Sequence, residues 1–558
     1  MFRKWNSTSA ILWLIILAGQ PARAQCQRQK VLASDAQPGD RFGTAVAMTA
    51  NWAAVGAPSE DSLVVSSGAI YMFQRVGTDW IQTQKLKASD PVSGGGFGAA
   101  LSMVDGVLVA GAYGTGSGGV VYVFEQAGDT WTQTARLETD DADSEDAFGA
   151  CVSTTGNRIL AAAPSDGEHS VDSGAAYIFD RVGTNWVQTS KLMGADTGPF
   201  DAFGTSVSLL GDRAVVGDVH KKEGQSYPGV VYVFELGPGG WTQTQKLSAA
   251  DAVSGDYFGV SVALVGSAAV IGAGARNGCA PGGGGIYKFD REATGWTQQP
   301  ALCPDDASSG DQFGLALAVS GDRLLSSSNV GFAGSACDFK LSGGQYVRVG
   351  KLLASDAAFS DCFGFAFAVS GSTAIVGASG VDDACTNDPN CDSGAAYVFQ
   401  LAESATQFGH CPTAAPCNNV DAHGGCRNST GQGAVLAACG SGSVATDDLQ
   451  VEVTHCPANK LTLLYMGGGQ VHVPFADGFR DVSGGGVGVF RFGGLSADPQ
   501  GRAMRGPGLV AQSQAFHNTN GHIQAGQTWN FQVWYRDTAG PCHGLTNYSN
   551  GLQIAFAP

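Results

Sequence analysis

A Phe-Gly pair recurs seven times in this chain, at Phe42, Phe97, Phe148, Phe203, Phe258, Phe313 and Phe363, with spacings of 55, 51, 55, 55, 55 and 50 residues. Fifteen residues after each Phe stands the small residue that ends a Val-Gly-Ala-like run: Ala57, Ala112, Ala163, Asp218, Ala273, Ser328 and Ala378. A Tyr-x-Phe element follows at Tyr71, Tyr122, Tyr177, Tyr232, Tyr287 and Tyr397, with Cys337 in place of Tyr in the sixth unit. From each of the first six of these positions to the next Phe-Gly the distance is always 26 residues. Four units carry a W-x-Q-x-x-[K/R]-L segment inside that interval, at Trp80, Trp131, Trp186 and Trp241. A fixed period of this size is the mark of a repeat architecture in which each copy is one supersecondary unit.

Each unit holds four short, β-rich runs separated by turn residues such as Gly156-Asn157 and Gly211-Asp212, with no helical periodicity. Four strands per repeat, seven times over, predicts a seven-bladed β-propeller, because a lone twisted sheet cannot bury both faces and must pack against its neighbours around an axis. A solenoid would need a cap at each end. This chain instead offers a way to close: it begins with an orphan fourth-strand sequence, Gln29-Lys30-Val31-Leu32, and its seventh unit stops after Tyr397-Val398-Phe399 without one. Residues 25–34 are therefore expected to complete the last blade, and residues 25–401 to form the propeller.

The pairs Phe42-Gly43 with Val55-Gly56-Ala57-Pro58, and Phe363-Gly364 with Val376-Gly377-Ala378, resemble the FG-GAP repeat family in its secreted bacterial form, related to the integrin α-chain propeller. Blade six departs most, with Ser327-Ser328-Asn329 at the Gly-Ala-Pro position, and blade four carries Asp218 there. The resemblance implies an adhesion or recognition scaffold. It constrains architecture more than activity. The calcium sites of the integrin type lie in a longer D-x-D-x-D-G loop after Phe-Gly. Here that region is a tight turn, as in Thr154-Thr155-Gly156-Asn157-Arg158, so those ligands are not carried over.

Nearly all length variation falls between the second and third strands, where the count from the Gly-Ala-Pro alanine position to the Tyr position runs 14, 10, 14, 14, 14, 9 and 19. Loops absorb such change and often carry binding. The longest contains Cys385 and Cys391, which are expected to pair and close a small loop. Charge repeats as well. Asp lies seven residues before every Phe, at Asp35, Asp90, Asp141, Asp196, Asp251, Asp306 and Asp356. It lies two residues before the Phe at Asp40, Asp146, Asp201, Asp256, Asp311 and Asp361, with Gly95 in the remaining copy. In an up-down-up-down blade these loops and the variable ones emerge at one end. One reading makes each Asp a turn cap that accepts backbone N–H groups. The other makes the ring a surface for Ca²⁺ or a cationic ligand, since hard oxygens suit hard cations.

The first 24 residues have a basic start at Arg3 and Lys4, an apolar run from Ala10 to Ala18, and Ala22-Arg23-Ala24 as an A-x-A signal. This pattern predicts a secretory signal cut before Gln25, and hence a secreted, cell-surface or periplasmic protein. Ala24-Gln25 lacks the small residue that a lipoprotein signal needs just ahead of Cys26. No other stretch is long and apolar enough for a membrane span. All 14 Cys lie in the exported part, so disulfides are the first expectation. The net charge is −18, and 40 acidic against 21 basic residues fall in the propeller, without any basic run. Nucleic acid and anionic lipid are thereby excluded as partners.

From about residue 402 to 558 the period disappears, and strand-like runs such as Leu461–Tyr465, Gln470–Val473 and Asn530–Tyr535 alternate with Gly-rich turns. A smaller, disulfide-containing, sandwich-like β-module is expected. It holds Cys411, Cys417, Cys426, Cys439, Cys456 and Cys542 and seven of the nine His, but no H-E-x-x-H and no paired C-x-x-C, so zinc is not favoured. Asn428 and Asn547 match glycosylation acceptors.

Nucleophile motifs are absent, and Gly114-Thr115-Gly116-Ser117-Gly118-Gly119 precedes a strand rather than the helix a phosphate loop needs. The resulting expectation is a non-catalytic protein that binds an extracellular protein or glycan with one propeller face. Two alternatives remain: a secreted polysaccharide hydrolase or lyase that uses two of the face carboxylates, and a structural envelope or matrix component.

Overall fold

The computed structural model describes residues 27–558, except 78, 225, 278, 305–306, 329–332, 384–390, 402–404, 410, 412–418, 420, 422–423, 441, 500 and 541–544. The chain is all-β, with seven four-stranded antiparallel sheets in sequence order followed by a second group of sheets. Blade one is typical, with strands Ala45–Met48, Trp52–Ala57, Ala69–Val76 and Asp79–Leu86. The seventh sheet joins Phe363–Ser370, Thr373–Ala378 and Ala395–Gln400 to Gln27–Val31, which pairs antiparallel with the third of these. No helix among the described residues is long and apolar enough to cross a membrane.

The repeated residues hold the blades together in a specific way. Each Phe of Phe-Gly is buried and meets the Tyr-x-Phe rings of its own blade, as Phe42 does with Tyr71 at 5.4 Å and Phe73 at 6.1 Å. Edge-to-face pairs of this kind add to the burial of the rings themselves. In five of the seven blades the second-strand glycine touches the Phe-Gly glycine of the next blade, with Ala162 in its place in blade three and Ser327 in blade six. A Cβ on Gly56 would stand 2.0 Å from the carbonyl oxygen of Gly98, one on Gly111 would stand 1.9 Å from that of Gly149, and one on Gly377 would stand 2.0 Å from that of Gly43. Gly98 also sits at φ +90°, where side chains are strained. Blade six, without this glycine, uses hydroxyls: the Ala316 amide donates to Ser327 Oγ and the Gly314 amide to Ser326 Oγ, both at 3.0 Å.

A second ladder runs along the outer strands. The amide side chain of Gln84 bonds both backbone groups of Trp131 in the next blade, at 2.8 and 2.9 Å. Gln29 does the same to Trp80 across the closure. In blade five the outer strand stops at Gln298, because Pro300 has no N–H to continue it. The disulfide Cys279–Cys303 ties that end of the blade to the loop between its second and third strands.

The C-terminal module packs a mixed-length sheet, ordered Ala405–Phe408, Gly551–Ala555, Thr528–Arg536, Leu461–Gly467 and Val489–Arg491, against a three-stranded one made of Val435–Cys439, Gln450–Thr454 and Ala503–Arg505. Leu464, Met466, Phe531 and Val533 of the first meet Leu436, Ala438, Val451 and Val453 of the second in one core. A hairpin of Gly469–Phe475 and Gly478–Ser483 lies beside the first sheet. The helix Leu509–Phe516 has no counterpart in the sequence reading; Asp447 accepts its Val510 and Ala511 amides at 2.7 and 2.9 Å. The disulfide Cys411–Cys426 lies in this module.

The expectation that the cysteines are disulfide-bonded needs correction: Cys151, Cys362 and Cys456 form no disulfide. Cys456 is part of the module core and Cys151 packs between blades three and four, so both behave as small apolar side chains. Cys391 is disulfide-bonded, and Cys385, its expected partner, lies outside the described residues. Asn428 and Asn547 are buried, which removes both as glycan acceptors in the folded protein.

Gly56→Ala is expected to lower stability by about 1–3 kcal/mol through overpacking against Gly98. Gly116→Ala, where a Cβ meets open space, is expected to be neutral or stabilising by about 0.5 kcal/mol. Thermal unfolding followed by circular dichroism would check the pair.

Candidate functional site

At one end of the propeller the two loop classes are joined by backbone hydrogen bonds. The loop between the second and third strands of each blade runs beside the loop that enters the next blade. The Phe97 amide donates to the Ser67 carbonyl (3.1 Å), Phe203 to Ser173 (3.0 Å), Phe258 to Pro228 (2.9 Å) and Phe313 to Gly283 (2.9 Å), and Phe42 closes the ring on Ser393 (3.1 Å). The residue before each Phe holds positive φ in every blade: Arg41, Gly96, Ala147, Ala202, Tyr257, Gln312 and Cys362. This left-handed residue turns the chain into the first strand, and its identity changes from blade to blade.

The Asp seven residues before Phe receives the hydroxyl of the repeated Tyr. Tyr71 donates to Asp35 at 2.8 Å, Tyr122 to Asp90 at 2.8 Å, Tyr232 to Asp196 at 2.6 Å, Tyr287 to Asp251 at 2.7 Å and Tyr397 to Asp356 at 2.9 Å. A cation completes each group: Lys85 on Asp35, Arg136 on Asp90 and Lys191 on Asp141 at 2.7 Å, Lys246 on Asp196 at 2.8 Å, and Lys30 on Asp356 at 2.6 Å. The register explains this, because Lys85, Arg136, Lys191 and Lys246 lie directly opposite their Tyr on the neighbouring strand. In the seventh blade Lys30 fills that place opposite Tyr397. Blade five has Ala301 there, and Arg276 reaches in from a loop to pair with Asp251. In blade three Tyr177 turns to Asp166 at 2.5 Å. Burial pushes the Asp35 and Asp196 carboxyls up, but the ammonium and phenol on each outweigh it and hold them below the usual carboxylate range. Asp306 lies outside the described residues.

The Asp two residues before Phe is buried and folds back on its own turn. Asp40 accepts the Gln37 amide at 2.8 Å, Asp146 that of Asp143 at 2.6 Å, Asp201 that of Gly198 at 2.6 Å, Asp256 that of Val253 at 2.9 Å, Asp311 that of Ser308 at 2.6 Å and Asp361 that of Ala358 at 2.7 Å. Burial raises the pKa of Asp40 to about 6, and raises those of Asp146, Asp256 and Asp361 as well. The turn after Phe-Gly in blade three closes on itself, with the Thr154 hydroxyl donating to the Arg158 carbonyl at 3.0 Å. Among the described residues, no three His, Cys, Asp or Glu side chains are gathered so that they could hold a metal ion.

Blade four breaks the pattern. Asp218 is fully buried at the Gly-Ala-Pro position, neither carboxyl oxygen has a hydrogen-bond partner, and burial raises its pKa to about 8. Beside it, Lys221 is buried and pairs with Asp201 at 2.9 Å.

A recess of about 510 Å³ opens on the loop face where blades seven, one and two meet. Arg41, Cys362 and Asp392 line it together with Tyr113 and Phe365, which are 48% and 50% exposed. Blade two leaves room because Gly94-Gly95-Gly96 stands where blade one has Gly39-Asp40-Arg41. The Arg41 guanidinium is exposed and enters no ion pair with the described residues. Burial, with Asp392 and Asp361 nearby, pushes the Cys362 thiol up and keeps it protonated rather than nucleophilic.

A sequence profile of the FG-GAP repeat matches residues 26–73, 80–124, 131–179, 186–234, 241–289, 296–335 and 346–399, more than half of the chain. The chain belongs to the FG-GAP repeat family. A search of curated proteins finds no match. Among solved structures it is similar to the WD40 domain of coronin from Toxoplasma gondii, with a TM-score of 0.41 and 8% identity over 68% of this chain and 88% of that one.

Within this FG-GAP framework the two carboxylates of a loop do different jobs in blades one, four, five and seven, where one takes the Tyr hydroxyl and a cation and the other takes a backbone amide. The sequence reading located both Asp series but missed Arg276, Asp166 and the recess. A basic residue absent from the W-x-Q-x-x-[K/R]-L segment of blade five was the available signal for Arg276.

Because the pKa of Asp218 is higher folded than unfolded, the folded state holds its proton more tightly, and ionisation on raising the pH through about 8 costs stability. Asp218→Ala, which restores the residue of five other blades, is expected to stabilise the protein by ~3–5 kcal/mol at high pH, with the difference fading as the pH falls toward about 4. Urea unfolding across that pH range would check it.

Proposed function

We propose that this FG-GAP chain is an exported, non-catalytic recognition protein that binds an extracellular protein or glycan on the loop face of its propeller. The observation that carries this reading is the recess between blades seven, one and two, whose exposed aromatic and charged side chains are unlike those of the repeat. Most binding pockets combine apolar walls with a few polar groups that orient the ligand, and about 510 Å³ lies within their usual size. Export rests on the leader-like residues 1–24, which lie outside the described residues. The disulfides Cys279–Cys303 and Cys411–Cys426 suit an oxidising compartment.

A hydrolytic role for the face carboxylates is less well supported. The two Asp of a loop do differ in environment, but the same arrangement recurs from blade to blade, with one Asp held by Tyr and a cation and the other buried on its own turn. Nothing marks one copy as a single reaction site.

Arrays of glycans and extracellular-type peptides would test the reading. The protein is expected to capture a ligand without converting it, and Tyr113→Ala with Phe365→Ala is expected to weaken capture about tenfold or more while the fold persists. Turnover of any arrayed compound that is lost in Asp40→Asn or Asp361→Asn would overturn it.

A further inference from the structure

The C-terminal module has a second concave surface, lined by aromatic rings and two arginines. In the strand Thr528–Arg536, Phe531, Val533 and Tyr535 point into the module core, so Gln532 and Trp534 point to the other side. Cross-strand register then assembles a row. Leu463 lies opposite Trp534, Trp534 opposite Tyr548, and Tyr465 opposite Gln532 and Arg491. The adjacent hairpin contributes Phe475, Arg480 and Val482. Sheet and hairpin enclose a groove of about 350 Å³.

Its walls are aromatic. Tyr548 makes edge-on contacts with Phe475 at 5.8 Å and with Tyr465 at 6.4 Å, and the Tyr465 hydroxyl is held by Gln532. Phe475 is 52% exposed, a large apolar ring left open to water. The charge in the groove comes from Arg480 and Arg491, both exposed, neither engaged in an ion pair or side-chain hydrogen bond with the described residues. Among the described residues, no carboxylate lines the groove. In a chain of net charge −18 with seven basic residues after residue 401, two unpaired guanidinium groups facing one aromatic groove are a local reversal of sign. Burial raises the phenols of Tyr465 and Tyr548, and both arginines act against that rise, as positive charges near the same two phenols do.

We propose that this groove binds an acidic saccharide, a sugar bearing a carboxylate such as a uronic acid unit. Aromatic faces pack against the C–H face of a pyranose ring, and a planar guanidinium fork matches a carboxylate. The volume suits a short oligosaccharide segment rather than a folded partner. This site shares no residue with the propeller recess.

Titration calorimetry of the full chain with a galacturonic acid tetrasaccharide tests the assignment. Binding is expected to weaken about tenfold or more in Arg480→Gln with Arg491→Gln, and several-fold in Phe475→Ala, all of them exposed positions that leave the circular dichroism spectrum unchanged. The neutral galactose tetrasaccharide is expected to bind at least about tenfold more weakly, and Tyr113→Ala with Phe365→Ala in the propeller is expected to leave uronate binding unaltered. The proposal is overturned if the wild-type protein gives no binding heat with the uronate, if binding survives in the double arginine variant, or if a hexaglutamate peptide binds more tightly than the uronate.

Discussion

The contact on which the propeller depends is the one between two glycines of neighbouring blades. With a Cβ on Gly56 only 2.0 Å from the Gly98 carbonyl, the second strand of one blade and the entry turn of the next approach as closely as backbone can. That approach sets the position of the Phe beside Gly98, and hence of the rings packed on it. It also explains why the interval of 15 residues from Phe to the small residue never varies while the following interval to the Tyr position changes from 9 to 19. A residue added between the Phe-Gly glycine and the second-strand glycine of one repeat, such as Gly43 and Gly56, would shift the strand register and turn buried side chains outward. A residue added in the loop moves nothing that packs.

The Tyr, Asp and cation group repeats for a different reason. Tyr-x-Phe buries its ring but leaves a hydroxyl that needs a partner, and an Asp on the entry loop supplies one from the side of the preceding blade. The Asp in turn needs a positive charge, which the outer strand supplies from the place opposite the Tyr. The exceptions show that the requirement is chemical rather than positional. Where the outer strand of blade five carries Ala301, Arg276 brings the charge from a loop, and its guanidinium still lies over the Tyr287 ring at 5.3 Å. Exposed ion pairs are worth little each. Here the pairs orient a loop, and the loop carries the variable residues of the face.

The fold was legible in the sequence because the features that define it are periodic and local: Phe-Gly, Tyr-x-Phe and an unmatched strand at the start. Seven blades, and the pairing of Gln27–Val31 with Ala395–Gln400, follow from residues that can be counted along the chain. The candidate sites were not legible, since each arises from residues brought together across units. The recess needs glycines of blade two, an arginine of blade one and a phenylalanine of blade seven. Asp218 could be seen as an odd residue at a small-residue position, but its lack of partners depends on how blade four closes around it. The free thiols of Cys151 and Cys456 escaped for a similar reason, because pairing rules for exported cysteines do not distinguish a side chain packed between blades or in a core.

Charge separates the two parts of the chain more sharply than composition suggests. In the propeller the cations opposite the repeated Tyr, Lys85, Lys191 and Lys246 among them, lie against the repeated Asp series and are not available to a ligand. The C-terminal module has few acids beside its exposed arginines, and its one close carboxylate, Asp481, is turned inward to His472 at 2.6 Å and to Gln532. That inward turn has an energetic consequence: burial raises the Asp481 pKa to about 6, a cost the fold bears while keeping a negative group away from Arg480 and Arg491. An unpaired guanidinium in water costs nothing by itself, yet two of them in one groove with exposed aromatic rings favour an anionic partner over a neutral or cationic one. The sign of the charge and the flatness of the walls therefore select the same kind of ligand, an anion with an apolar face, and do so without any residue of the propeller.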